Sequence, residues 1–212
     1  MTTKLPVFFQ GVGTTVELAL CTAIFGTLLG IVVALLRMSR VKLLKVLAGA
    51  DIEFLRGTPL LVQVLIGFYG LPPMGVKLPR MTAGTVALVI NSAAYMAEIV
   101  RSGIQAIDGG QTEASRSLGM NGAQTMIYII LPQAIKNILP AIGNEFISII
   151  KESSILYTIG IYELTYQANK LASTNFRYLE TLTISALIYF VLTFTASRLL
   201  GMLERRMRRG DR

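Results

Sequence analysis

Five stretches of this chain are apolar over about the 20 residues that a helix needs to cross a hydrocarbon core, and polar segments separate them. They cover residues 11–36, 52–71, 82–100, 134–150 and 182–203. The pattern predicts an all-α integral membrane protein with five transmembrane helices. The fourth stretch is the least apolar, because Pro140, Gly143, Asn144 and Glu145 lie inside it. Bilayers accept such residues where neighbouring helices or a cavity satisfy the backbone. Gly57-Thr58-Pro59 is a candidate break in the second stretch.

Between the third and fourth stretches the pattern changes. Residues 113–132 read EASRSLGMNGAQTMIYIILP, polar at the start, with glycines at 119 and 122 and a proline at the end. Asp108 is placed to cap a short helix, with Gln111 three residues on as a variant capping box. Gly119 fits the left-handed position just past a helix end. Asn121 is placed to cap a second helix, with Gln124 three residues later. Pro132 disfavours helical backbone in the residue before it, so a break or bend is expected near Leu131. The segment reads as a compact knob of two short helices rather than a linker.

Composition supports the bilayer. Hydrophobic residues make up 53% and charged residues 15%, against about 25% charged in an average soluble domain. The length of 212 residues is read as one transmembrane domain, 1–212. The net charge of +8 does not point to nucleic acid, because the basic residues flank apolar runs as membrane-anchoring charges do. Arg37, Arg40, Lys42 and Lys45 follow the first stretch. Arg101 and Arg116 lie in the 101–134 loop, with Lys136 just beyond it, and Arg198, Arg205, Arg206, Arg208, Arg209 and Arg212 gather at the C-terminus. Fewer basic residues, among them Lys4, Lys77, Arg80, Lys151, Lys170 and Arg177, fall on the other side. The excess places the 101–134 loop and the C-terminus in the cytoplasm and the N-terminus outside. The start does not read as a cleaved signal, since Lys4 is its only early positive charge and the apolar run is too long.

The chain has no histidine and one cysteine, Cys21. Histidine bases, Ser-His-Asp triads, HExxH zinc motifs and an intrachain disulfide are therefore excluded. No metal ligands and no catalytic residues are expected. A GxxxxGK[ST] phosphate loop is also absent; GMNGAQT lacks the lysine. The chain is not read as an enzyme, and it holds no cofactor of its own.

Glu113-Ala114-Ser115, three residues, Gly119, nine residues, Ile129, one residue, Leu131-Pro132 resembles the EAA loop of ABC importer permeases. Ser115 departs from the family pattern, which has alanine there; a small-for-small exchange leaves packing intact. The segment from Ile52 through Arg56-Gly57-Thr58-Pro59 to Gln63 resembles the RGTP segment of the polar amino acid branch. Asn91-Ser92-Ala93-Ala94-Tyr95-Met96-Ala97-Glu98-Ile99, with Arg101, Gly103 and Ile104, resembles its AYxAE segment. The resemblance implies a type I ABC importer permease fold in the plasma (inner) membrane of a prokaryote. It implies coupling to an ATPase through Glu113, Ala114, Ser115, Leu118, Gly119 and Met120. It further implies a second permease subunit (identical or not), two ATP-binding subunits that carry the ATP, and an extracytoplasmic binding protein that delivers an amino acid.

Ionisable residues inside spans are functional candidates by default; Glu17, Glu53, Arg56, Glu98 and Glu145 qualify. The candidate substrate-binding set is Glu53, Arg56, Thr58, Asn91, Tyr95, Met96 and Glu98. Acidic groups would hold an ammonium or guanidinium, as in arginine, lysine or histidine, and Arg56 or helix ends would hold the carboxylate. The competing reading makes the charges structural salt bridges and Tyr95 and Met96 helix packing. A secondary transporter is disfavoured by the lack of an internal repeat, and a membrane enzyme by the lack of an acidic pair in an obvious cytoplasmic site.

Overall fold

A computed structural model of the protein describes residues 5–208, and every element in it is helical. Lys4, Arg209 and Arg212, counted among the flanking charges, lie outside the described residues. The order is α1 (Leu5–Arg37), α2 (Lys42–Gly57), α3 (Leu60–Leu65), α4 (Arg80–Gln105), α5 (Gly109–Ser117), α6 (Gly122–Gln124), α7 (Leu131–Glu152), α8 (Leu164–Asn175) and α9 (Tyr178–Arg208). A π-helical turn, Ile66–Gly70, extends α3, and another, Thr125–Ile130, joins α6 to α7.

Among the described residues, four helices are long and apolar enough to cross a membrane: α1, α4, α9 and the run Gly122–Ile159 that contains α7. The expected second span, 52–71, breaks at the expected Gly57-Thr58-Pro59. Lys42–Gly57 and Leu60–Gly70 meet at 104°, and they make a fifth span only if the bent pair is counted as one. The sequence supplies the reason. Pro59 has no N–H to donate and pushes its predecessor out of the helical region. Thr58 accordingly sits at φ −112°, ψ 144°, extended backbone between two helices.

The break expected near Leu131 does not occur. Residues 122–159 form one continuous run, and Pro132 sits within the first two positions of α7. The π-helical turn just before it, Thr125–Ile130, widens the helix where the proline ring would otherwise crowd the preceding carbonyls.

α4 lies at the centre. α1 packs along it, and α2, α3 and α7 take its other sides. Small residues set this closeness, as in membrane helix pairs generally. A Cβ added at Gly26 would lie 2.9 Å from Ser92 Oγ, and one at Gly30 would lie 2.5 Å from Met96 Cβ. On the next layer a Cβ at Gly143 of α7 would lie 2.2 Å from Leu200 of α9. The buried clusters follow these crossings. One joins Leu18, Val64, Leu88 and Leu156; a second joins Ala34, Ile52, Ala97, Ala134 and Ile138.

At the end of the molecule near the α1 N-terminus, α8 tucks between α1 and α9. Glu163 caps it, with its carboxylate fully buried. The carboxylate accepts from the amides of Thr165 (2.8 Å) and Tyr166 (2.6 Å) and from Tyr189 Oη (2.7 Å). Thr15 Oγ1 accepts from the Leu164 amide, 3.2 Å away. Burial raises the Glu163 carboxyl above its ordinary value, and these hydrogen bonds act against it. A group whose folded pKa exceeds its unfolded one binds its proton more tightly when folded. Its contribution to stability is full below the ordinary carboxyl value and declines as pH rises through the folded one. Glu163→Gln is therefore expected to flatten the pH dependence of the thermal midpoint above about pH 4.5. An unchanged slope in detergent-solubilised protein, followed by scanning fluorimetry, would contradict this account.

Candidate functional site

Two features gather the residues singled out by the sequence: the elbow between α2 and α3, where it rests on α4, and the knob formed by α5 and α6.

At the elbow, the last turn of α2 has lost its helical partners and its carbonyls need donors. Thr58 Oγ1 donates to the Phe54 carbonyl (2.9 Å). Gln63 Nε2 reaches back from α3 to the Leu55 carbonyl (2.7 Å), Thr58 Oγ1 (2.8 Å) and the Thr58 carbonyl (3.2 Å). Asn91 Nδ2, from α4, donates to Gln63 Oε1 (3.1 Å) and to the Leu55 carbonyl (3.4 Å). Asn91 is only 4% exposed. Thr58 and Asn91 thus meet each other's network at the break, with Gln63 as the hub.

One helical turn further along α4, Tyr95 faces Arg56, whose guanidinium carbon lies 5.2 Å from the ring centroid in a cation–π arrangement. Glu98 pairs with Arg101 through Nε at 2.8 Å and through a second contact at Nη2, and Arg101 also meets Gln105. Arg101 is the chief influence on Glu98, and burial on Glu145; Arg56 is a lesser, longer-range influence on both. Among the described residues, Arg56 has no carboxylate in ion-pair contact. The result is a strip of Arg56, Tyr95, Glu98 and Glu145 contributed by α2, α4 and α7.

Two members of the expected set stand elsewhere. Glu53 is 78% exposed and faces Arg37 at 3.7 Å, on the α1–α2 corner. Met96 is fully buried against Gly30 and belongs to the helix packing. Gln63 and Glu145 lie outside the expected binding set. Gln63 was legible as a side-chain amide four residues after a proline that strips the preceding turn of donors. Glu145 shares a face of α7 with Glu152, two turns on.

The knob is built as its caps require. Asp108 accepts from the Gly110 amide (2.7 Å). Gln111 does not close the expected box; its side chain faces Gln133 instead. Asn121 and Gln124 do form a reciprocal capping box, at 3.0 and 2.8 Å. Gly119 has φ 85°, with its amide on the Arg116 carbonyl (3.0 Å) and the Met120 amide on the Ser115 carbonyl (3.1 Å), a Schellman closure. Ser115 is buried, and its hydroxyl meets the Thr112 carbonyl (3.0 Å) and Thr125 Oγ1 (3.1 Å). Ser115 and Thr125 are buried where the two arms of the knob meet, while Gln111, Arg116, Asn121 and Gln124 are exposed. The knob presents Glu113, Ala114 and Leu118 to solvent, Leu118 at 84% exposure.

Comparison with known proteins gives a consistent picture. Residues 26–209 match the family described as binding-protein-dependent transport system inner membrane component. The chain is 39% identical over 210 residues to a probable amino-acid permease protein, YxeN, of Bacillus subtilis, covering 98% of this chain and 94% of that one. It is 39% identical over 209 residues to the arginine transport system permease protein ArtQ of the same organism, covering 98% and 95%. A crystal structure described as an amino acid ABC transporter with histidines superposes with a TM-score of 0.94 at 51% identity, covering 97% of this chain and 96% of that one.

Only a residue without a side chain holds the positive φ at 119 without strain. Gly119→Val is expected to loosen the α5–α6 turn by about 1–2 kcal/mol. Hydrogen exchange should speed up across residues 113–124 while α4 and α9 stay protected. Unaltered exchange in the turn would contradict this.

Proposed function

Because the chain belongs to the family of binding-protein-dependent transport system inner membrane components, we propose that it is the membrane-spanning subunit of an ATP-driven importer of polar amino acids. Arginine, lysine and histidine are the substrates that its polar strip favours. The observation that carries this reading is Arg56, held over Tyr95 one helical turn from Glu98 along α4 and, among the described residues, with no carboxylate in ion-pair contact. A basic amino acid carries one carboxylate and two cationic groups. Arg56 takes the carboxylate, Glu145 faces one cation, and Glu98 takes the other by exchanging its contacts with Arg101 for the substrate. The names of relatives agree with this range, one being an arginine permease and another solved with histidines. A probable glutamine permease of Bacillus subtilis, 42% identical over 179 residues, lies outside it and fits the broader class of polar amino acids.

The chain lacks a phosphate loop, so ATP is bound by partner subunits. Two copies of the ATPase dock on the exposed knob around Leu118 and Gly119, which lies in the cytoplasm with the C-terminus. Two permease subunits enclose the pathway between them and alternate access to it. An extracytoplasmic binding protein delivers the amino acid at the face opposite the knob. The protein resides in the inner membrane of a prokaryote.

The test is ATP hydrolysis and uptake in liposomes that hold this chain, its ATPase and the binding protein, with arginine, lysine, histidine, glutamine and cystine as the panel. Stimulation by the basic members is expected. Glu98→Gln should cut their uptake on the order of tenfold, while leaving the ATPase bound during purification. Flux without ATP would overturn the importer reading, and undiminished arginine uptake by Glu98→Gln would remove Glu98 from the pathway.

A further inference from the structure

The elbow raises a question that neither the membrane span nor the coupling knob answers: what fixes the position of Arg56? It sits in the last turn of α2, where the helix ends at Gly57 and the chain turns by 104°. A helix terminus of this kind frays unless its carbonyls are held. The Leu55 carbonyl, adjacent to Arg56, is held twice, by Gln63 from α3 and by Asn91 from α4. Gln63 and Asn91 are themselves joined through Gln63 Oε1.

Asn91 and Tyr95 are one i, i+4 step apart on α4. The end of α2 therefore touches one face of α4 at two successive levels. At the first, the Leu55 carbonyl is gripped by Asn91; at the second, Arg56 rests on the Tyr95 ring. The grip lies beside an apolar cavity of about 310 Å³, lined in part by Phe54, Leu55, Val62, Gln63, Ala87 and Ile90. Low local polarity strengthens hydrogen bonds such as these. The same empty volume gives the elbow room to swing once they are cut.

We propose that Gln63, acting with Asn91, is a positioning residue for transport: it latches the elbow to α4 and so holds Arg56 over Tyr95 to receive the substrate carboxylate. Neither amide is a ligand in this arrangement, since Asn91 is buried and both are spent on the latch. The inference rests on the reading of Arg56 as a substrate contact, and its test separates the two.

The test is equilibrium binding of radiolabelled arginine to the purified complex of this chain with its ATPase, for the wild type, Gln63→Met, Arg56→Ala and the double variant. Methionine keeps the length and bulk of glutamine but removes the amide. Gln63→Met is expected to weaken binding about tenfold, the scale of one or two lost hydrogen bonds. Arg56→Ala should weaken it at least as much, and the double variant no further than Arg56→Ala alone. A merely structural role would lower thermal stability and leave the dissociation constant unchanged. Unchanged binding by Gln63→Met, or losses that multiply in the double variant, overturn the latch. If Gln63→Met does not assemble with the ATPase, Gln63→Asn decides by the same comparison, since it keeps the amide but shortens its reach. Weakened binding by Arg56→Ala with none by the Gln63 variants defeats the latch alone. Wild-type binding by Arg56→Ala defeats the substrate contact, and the latch with it.

Discussion

Backbone carbonyls inside a bilayer have no water to turn to, and the carbonyls of Phe54 and Leu55 are where this protein meets that constraint most sharply. Proline at 59 ends one helix and starts another at 104°, so the last turn of α2 loses its own donors. Thr58, Gln63 and Asn91 replace them. Most of the polar geometry on this side of α4 follows from that repair. Asn91 is buried because it is needed there, α3 is drawn back against α4, and Arg56 is left at the free end of a held turn.

The repair works only because α4 is a stable reference. Its packing against α1 depends on glycines opposite Ser92 and Met96, where any Cβ would overlap the neighbouring helix. Close backbones give van der Waals contact without a hydrophobic drive, which hydrocarbon surroundings do not supply. The same helix carries Asn91, Tyr95 and Glu98 on successive turns. Membrane packing on one face and polar chemistry on the other are thus parts of one rigid rod.

How much of this could be read in the sequence follows from where each signal is local. The capping box at Asn121 and Gln124 and the left-handed Gly119 are decided within five residues, and both were legible. Ser115 was read as a tolerated exchange for alanine, but its bond to Thr125 needs the π-helical turn, which no local pattern announces. That same turn absorbs Pro132, so the expected break near Leu131 gave way to a continuous helix. In the second span the break at Gly57-Thr58-Pro59 was legible from the proline, but the bounds 52–71 were not. Hydropathy counts apolar residues whatever their direction, so it merged two helices that diverge at Pro59. Among site residues, Arg56, Tyr95 and Glu98 share one strip. Glu53 is drawn to Arg37, a residue sixteen positions back that only folding brings near.

The connections between the knob and the strip are short and stiff at both ends. α5 begins four residues after α4 ends, with Asp108 capping the junction. On the other side α6 runs through its π-helical turn into α7 with no break in the helix. Ser115 and Thr125 tie the two arms of the knob together inside it. The two arms of the knob join it to α4, which carries Tyr95 and Glu98, and to α7, which carries Glu145, so two of the strip's three sides are continuous with it. The third side, Arg56 on α2, has no covalent path of comparable length to the knob. What links it to α4 is the set of hydrogen bonds between the elbow and Asn91, with the contact of Arg56 on Tyr95 beside it.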